Sequence, residues 1–469
     1  MTSHEPIEAE PGATAASPDK GPAQPTPGVD QYHVDPSLPA AGVEERHDQA
    51  ERQPKHRAPA PEEGKRSFGR TFREELWANN NFTVTLLAIV LALICGGVLM
   101  VIGNAEVRDQ WQYLLYQPGK TIGDTWAFVS TAYTDMFKGA VVNPDTVNRW
   151  YWNMTTWQQV FYPISETLTN AAPLIFTGLA VAVPFRAGLF NIGGQGQAIM
   201  GAIGGGTVGL ALSLPAIVQV PLGVLAGALL GGLWGYLVGI LKARTGAHEV
   251  ILTIMLNNIA FLFLGWFILQ QGIKDPARSD AISKPIQESG RLPQLIPDPL
   301  LRANLAIVLA VLAAAGVAWL LKRGRFGFEL RAVGHNPHAA ATAGIKVGTT
   351  VALTMALAGA LAGLGGTSVA LGTAPALTVD MLGQIGFNGI LVALLGRVRP
   401  WGVVGAGLLF GALQAGGNAM QTFSGVSVEL VGVIQALIVL FVAAPALVKA
   451  IYRLRRSPAA AAQAGLAKG

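Results

Sequence analysis

The sequence predicts an all-α, polytopic transmembrane helical bundle of about ten spans. Three observations carry the prediction. Hydrophobic residues make up 51% of the 469-residue chain and charged ones only 13%, against roughly 25% charged in soluble domains. The 57 glycines fall largely inside apolar runs, where they weaken a soluble helix but are common in membrane helices. Finally, apolar runs of about 20 residues, the length that crosses the hydrocarbon, recur near 82–103, 166–187, 190–213, 219–241, 249–270, 302–321, 348–371, 384–396, 401–421 and 428–448. The eighth is short, contains Asn388, and reads as a half-span or re-entrant segment.

Residues 1–64 hold 11 of the 28 prolines and no apolar periodicity, so they are expected to form a disordered cytoplasmic tail. A hydrophilic start is not a cleavable signal peptide. The juxtamembrane segment 65–81 carries Lys65, Arg66, Arg70 and Arg73 just before the first span, a cytoplasmic signature. The transmembrane domain is expected over 82–449, and a cytoplasmic tail over 450–469. Threading the runs alternately puts both termini inside, with 18 basic residues on inside segments against nine outside. That asymmetry supports the orientation and a multi-pass protein of the cytoplasmic membrane.

The outside segment 104–165 holds five of the ten tryptophans and five of the eight tyrosines, as expected of amphipathic helices at an interface. A polar, proline-marked loop follows near 272–300. In the fourth run Gly223, Gly227, Gly231, Gly235 and Gly239 recur at every fourth residue, a small-residue face for close helix packing. "GGGTVG" at 204–209 has the dinucleotide-binding spacing but no preceding strand, and GxxxxGK[ST] does not occur. If the work is driven by ATP, another chain must bind the ATP. Cys95 is the only cysteine, so no intrachain disulfide or cysteine metal cluster is expected. His335 and His338 without further ligands predict no metal site.

Two polar clusters interrupt the apolar runs. Asn191 and Gln195 share a helical face, with Gln197 nearby; Glu249, Thr253 and Asn257 are spaced four apart, continuing to Phe261. They are candidates for a path through the bundle, as is Asn388. Interhelical hydrogen bonding is the competing reading, and Glu249 is expected to pair with an Arg or a helix N-terminus. No acidic residue sits clearly at a membrane midplane, which argues against a proton-coupled carrier. Between the sixth and seventh runs, the cytoplasmic segment 322–347 contains "RAVGHNPHAAATAGI". Asn336 is a good N-cap, Pro337 suits the first helical position and Gly344 suits C′, which predicts a discrete helix of about two turns.

"NAAPLIFTGLAVAVPFRAGLFNIGGQGQ" (170–197), "EVILTIMLNNIA" (249–260), "FELRAVGHNPHAAATAGI" (328–345) and "GFNGILVALLGRVRPWGVVGAGLLFGAL" (386–413) resemble the membrane permeases of ABC importers. The resemblance is to the branched-chain amino acid and simple-sugar permease family, in its nucleoside-uptake branch. It covers about 80–449 and implies a permease, not an enzyme, moving nucleosides by alternating access; ribose or another simple sugar is the alternative. It implies a cytoplasmic ABC ATPase that binds ATP and Mg, a second permease subunit forming a heterodimer, and an extracytoplasmic substrate-binding lipoprotein. No cofactor of the chain itself and no nucleic acid is implied; membrane lipid surrounds it. The segment matching the coupling loop assigns Arg331, Gly334, Asn336, Pro337, Ala339, Ala340 and Gly344 to ATPase docking. One departure is that many relatives are acidic before the last "GQ" of "NIG…GQ", where this chain has Gln195 and Gly196.

Overall fold

The computed structural model describes residues 81–452, all within the unit Ser67–Gly469. The tail 1–64, most of the basic segment 65–81 and nearly all of 450–469 lie outside the described residues. The architecture is nearly all-helical. Helix α1 (Asn81–Gly103) leads into α2 (Ala105–Gln110), α3 (Pro118–Ala140) and α4 (Pro144–Tyr151). Then come α5 (Trp157–Phe185), α6 (Gly194–Ala211), α7 (Ala216–Thr245) and α8 (Glu249–Ile268). After strand β1 (Ile282–Pro285) follow α9 (Leu305–Arg323), α10 (Arg325–His335), α11 (Pro337–Thr342) and α12 (Val347–Gly372). Strand β2 (Ala376–Thr378) precedes α13 (Ile385–Leu395), α14 (Pro400–Ser424), α15 (Glu429–Ala443) and α16 (Pro445–Ile451).

Among the described residues, seven helices are long and apolar enough to cross a membrane: α1, α5, α7, α8, α9, α12 and α14. The other three expected spans are shorter or less apolar. Helix α6 begins at Gly194, four residues later than expected, because 190–193 are non-helical and end in a turn at 192–193. Helix α15 has 15 residues. Helix α13 has 11 residues, about 16 Å, roughly half the hydrocarbon thickness. The all-α expectation is corrected by one small feature. Strand β1 pairs antiparallel with β2, Ile282 opposite Thr378 and Pro285 opposite Ala376, so the 272–300 loop is tied to the end of α12.

The main core gathers around α5, whose span is the most buried of the seven. The glycine row of α7 lies against α12. A Cβ at Gly231 would come within 2.5 Å of the Gly359 carbonyl oxygen, and one at Gly235 within 2.2 Å of that of Met355. Only hydrogen fits between these backbones, so each glycine converts missing side chain into dispersion contact. A second core joins α1, α3 and α15 with part of α14. Helix α3 therefore does more than lie at an interface: a Cβ on Gly139 would meet the Ala419 Cβ at 2.1 Å. The Tyr133 hydroxyl donates to the Leu93 carbonyl at 2.5 Å. Many aromatic rings of 104–165 stay exposed, among them Tyr116, Trp126, Tyr151 and Trp152.

Candidate functional site

Helices α6 and α13 both start inside the bundle, and their starts meet. A Cβ at Gly386 would lie 2.2 Å from the Gln195 backbone nitrogen, so glycine is required for the approach. Gln195 fastens the junction, accepting from the Gly386 N–H through Oε1 and donating to the Gly383 carbonyl through Nε2, each at 2.8 Å. The Thr177 hydroxyl of α5 donates to the Ile385 carbonyl at 3.0 Å.

Beside this junction is a polar cavity of about 320 Å³, at the lower end of small-molecule pockets (roughly 300–1,000 Å³). Its polar lining includes Asn170 from α5, Ser368 from α12, Gln384 and Asn388 at the start of α13, and Gln414 from α14. Arg302 also lines it, and lines a neighbouring cavity of about 570 Å³ that contains Glu166, Tyr162 and Asn418. The Arg302 guanidinium lies 3.3 Å from Glu166 Oε2 at the boundary. Asp380 and Arg302 place one charge of each sign on the smaller cavity's wall, and the remaining polar lining is amides and hydroxyls, which recognise hydroxyl and ring-nitrogen groups.

Of the expected path residues, only Asn388 lines this cavity. Asn191 and Gln197 have no exposed surface and exchange amide hydrogen bonds at 2.9 and 3.1 Å. The spare Asn191 groups hold Gly193 N–H and the Ala180 carbonyl. Thr253 is also fully buried, bonded within its own helix. Asn257 ties α8 to α6 by accepting from Gly196 N–H at 2.8 Å and donating to the Ile192 carbonyl at 3.0 Å. In this structure these side chains are buried and hydrogen-bonded to their neighbours, as buried amides must be. Phe261 is 45% exposed. Steps of four residues rotate about 40° around a helix, so the packed face passes instead to Ala260, Leu264 and Ile268. Glu249 opens α8, at the helix start expected for it, and also pairs with Lys242 at 2.6 Å and accepts from Phe190 N–H.

Asn170, Ser368, Gln384, Gln414, Glu166 and Arg302 were missed by sequence reasoning. Each lies inside or at the edge of an apolar run. Gln414, four residues before Asn418 within α14, was the available signal.

The expected short helix is α11. Asn336 Oδ1 accepts from the N–H groups of His338 and Ala339 at 3.0 and 3.1 Å. At the other end Gly344 adopts φ +85°, Ile345 N–H bonds the Ala340 carbonyl and Gly344 N–H that of Ala341, a Schellman closure. Pro337 and Ala339 are exposed, whereas Ala340 is only 4% exposed. Ala340 packs against the bundle and anchors the helix in this structure. Helix α10 precedes α11 and was not anticipated. Its Gly334 presses on the turn after α5, where a Cβ would meet the Arg186 carbonyl oxygen at 2.3 Å; Arg331 donates to the Leu321 carbonyl.

The chain is similar along its core to known permeases. It is 40% identical over 294 residues, 61% of this chain and 83% of the other, to the guanosine ABC transporter permease protein NupP of Bacillus subtilis. It is 36% identical over 292 residues (60% and 79%) to the nucleoside ABC transporter permease protein NupB of Lactococcus lactis subsp. cremoris. Against the glucose ABC transporter permease protein TsgB13 of Haloferax volcanii it is 34% identical over 288 residues (60% and 76%). It also matches, at 30% and 29% identity, NupQ and NupC, further permease proteins named for guanosine and nucleoside transporters in the same two organisms. No solved structure matches it. The seven long apolar helices and these relatives make it a multi-pass integral protein of the plasma membrane. Residues 164–443 match the model of the branched-chain amino acid transport system permease component, and the chain belongs to that family.

Proposed function

We propose that this chain is the permease subunit of an ATP-driven importer and that it moves nucleosides by alternating access. The observation that carries the reading is the amide-lined cavity at the α6–α13 junction, in a chain 40% identical to a guanosine permease. The chain performs no covalent chemistry and needs no cofactor of its own. A cytoplasmic ATPase holds ATP and Mg and docks on α11 and its flanks, with Ala339 and Pro337 on the exposed side. A second, non-identical permease completes the complex, a reading supported by the similarity to both NupP and NupQ. An extracytoplasmic lipoprotein delivers the solute.

In this reading both termini are cytoplasmic, and α6, α13 and α15 complete ten membrane passages or part-passages with the seven long helices. The core runs over 82–449, flanked by the 1–64 and 450–469 tails. Asn388, Asn170 and Gln414 face the solute; Gln195 holds the wall they stand on. The test is uptake of labelled guanosine and glucose by cells lacking the chain. Loss of guanosine uptake alone is expected. Loss of glucose uptake alone moves the assignment to sugar, the second reading, which rests on the similarity to TsgB13.

A further inference from the structure

A cavity of about 1,000 Å³ opens at the basic end of the bundle, away from the polar cavity. Five cationic side chains line it: Arg186, Lys322, Arg331, Arg397 and Arg399. No Asp or Glu does. Among the described residues none of the five forms an ion pair. Their hydrogen bonds go to neutral oxygens. Arg186 donates through Nε and Nη2 to the Val398 carbonyl at 3.2 and 2.9 Å, Arg331 to the Leu321 carbonyl, and Arg397 to the Thr85 hydroxyl at 3.5 Å. Carbonyl and hydroxyl oxygens orient these groups without cancelling their charge, so among the described residues the cluster stays cationic.

The cluster is built into the fold rather than scattered on a surface. Arg397 and Val398 adopt φ of +52° and +55°, a left-handed turn that a β-branched residue rarely accepts. The bonds from Val398 N–H to the Ala393 carbonyl and from Arg186 to the Val398 carbonyl hold it. That turn joins α13 to α14 and brings Arg397 and Arg399 beside residues from the ends of α5, α9 and α10. Away from the charges the wall is apolar, with Ile89 of α1, Ala318 of α9, and Ala406 and Leu409 of α14. Leu409 lies nine residues beyond Pro400, about 13 Å along the helix. A ligand filling this space needs an anionic head and a long apolar body.

We propose that this cavity binds one anionic phospholipid, its phosphate among the five cations and an acyl chain against Ile89 and Leu409. Basic pockets between membrane helices suit such headgroups. The apolar depth favours a lipid over a soluble phosphate or an acidic protein segment. Gly334 of α10 packs on Arg186, so the occupied site stiffens the ground on which α11 stands. The proposal does not depend on which solute is carried.

The test is native mass spectrometry of the full chain with its partner subunits, released from detergent with added phosphatidylglycerol or phosphatidylcholine. The wild type is expected to retain phosphatidylglycerol preferentially. Lys322→Gln, at an exposed position, and Arg399→Gln are each expected to weaken retention about fivefold and to leave phosphatidylcholine retention unchanged. Equal retention of both lipids by the wild type, or undiminished phosphatidylglycerol in both variants, overturns the proposal. Displacement of the lipid by inorganic phosphate alone would assign the site to a soluble anion instead. ATP hydrolysis lost equally in neutral and anionic liposomes with Lys322→Gln would assign the rim to a protein partner.

Discussion

Gln195 Oε1 accepts the Gly386 N–H at 2.8 Å, joining the first turn of α6 to that of α13, 191 residues later in the chain. Both helices expose unpaired N–H groups at their starts, and one amide side chain serves both the α13 start and the Gly383 carbonyl. Gln195→Ala is expected to destabilise the chain by about 1–2 kcal/mol, two modest interhelical hydrogen bonds, and to lower solute uptake severalfold. Thermal unfolding in detergent and uptake in the same preparation check the two effects. Uptake at the wild-type rate would show that the junction does not shape the cavity.

The α7–α12 contact gives a sharper mutational contrast. Gly231→Val must push apart backbones that a Cβ would approach to 2.5 Å; a loss above about 3 kcal/mol is expected, with little folded protein in the membrane. Gly316→Ala on α9, where a Cβ meets nothing within 4 Å, is expected to be neutral or to stabilise by up to about 1 kcal/mol. Detergent-extraction yield and melting temperature separate the two.

For α11, Asn336→Ala removes the cap on two N–H groups and is expected to cost about 1 kcal/mol locally. Ala339→Arg, on the exposed side, is expected to abolish solute-stimulated ATP hydrolysis of the assembled complex with the melting temperature unchanged. Ala340→Arg does not make that test, because a buried anchor cannot be replaced without disturbing the packing. Normal stimulation in Ala339→Arg would remove α11 from the docking surface.

Outside the long spans, Lys138 Nζ sits 2.7 Å from Asp145 Oδ2. Hydrogen bonding to Lys138 holds the Asp145 carboxyl below its ordinary value, and the same bond raises Lys138 above its own. The Asp145 contribution is present above its unfolded pKa of about 3.8 and is lost as pH falls through the lower folded value. The Lys138 contribution is present below about 10.5 and is lost as pH rises through the higher folded value. Both groups are exposed, so the effect is small and screened by salt. Asp145→Asn is expected to flatten the acid limb of a melting-temperature profile slightly at low ionic strength. An unchanged limb would show that the pair is idle in solution.

How much was legible depended on whether the signal was local. The caps of α11 sit within nine residues, and the α7 glycine row within one helix, so both could be read directly. The shortness of α13 followed from the length of its apolar run. The polar cavity was not legible, because Asn170, Ser368, Gln384 and Gln414 come from separate parts of the chain, each inside or at the edge of an apolar run. The Asn191–Gln197 pair and Asn257 carried the same signal and are paired with their neighbours here, since an amide in an apolar run is equally at home facing a cavity or a neighbouring helix. Helix α10 was hidden by its charged surface face; only Gly327, Leu330 and Val333 are buried.

The most direct test of the central claim replaces two cavity amides by apolar side chains of similar size. Asn388→Leu and Gln414→Leu remove lining groups of the cavity and break no side-chain bond to the backbone among the described residues. Measured in proteoliposomes of the assembled transporter, guanosine uptake is expected to fall at least about tenfold in each, the cost of one or two lost polar contacts, with basal ATP hydrolysis retained. Wild-type guanosine uptake in both variants would contradict the placement of the solute in this cavity.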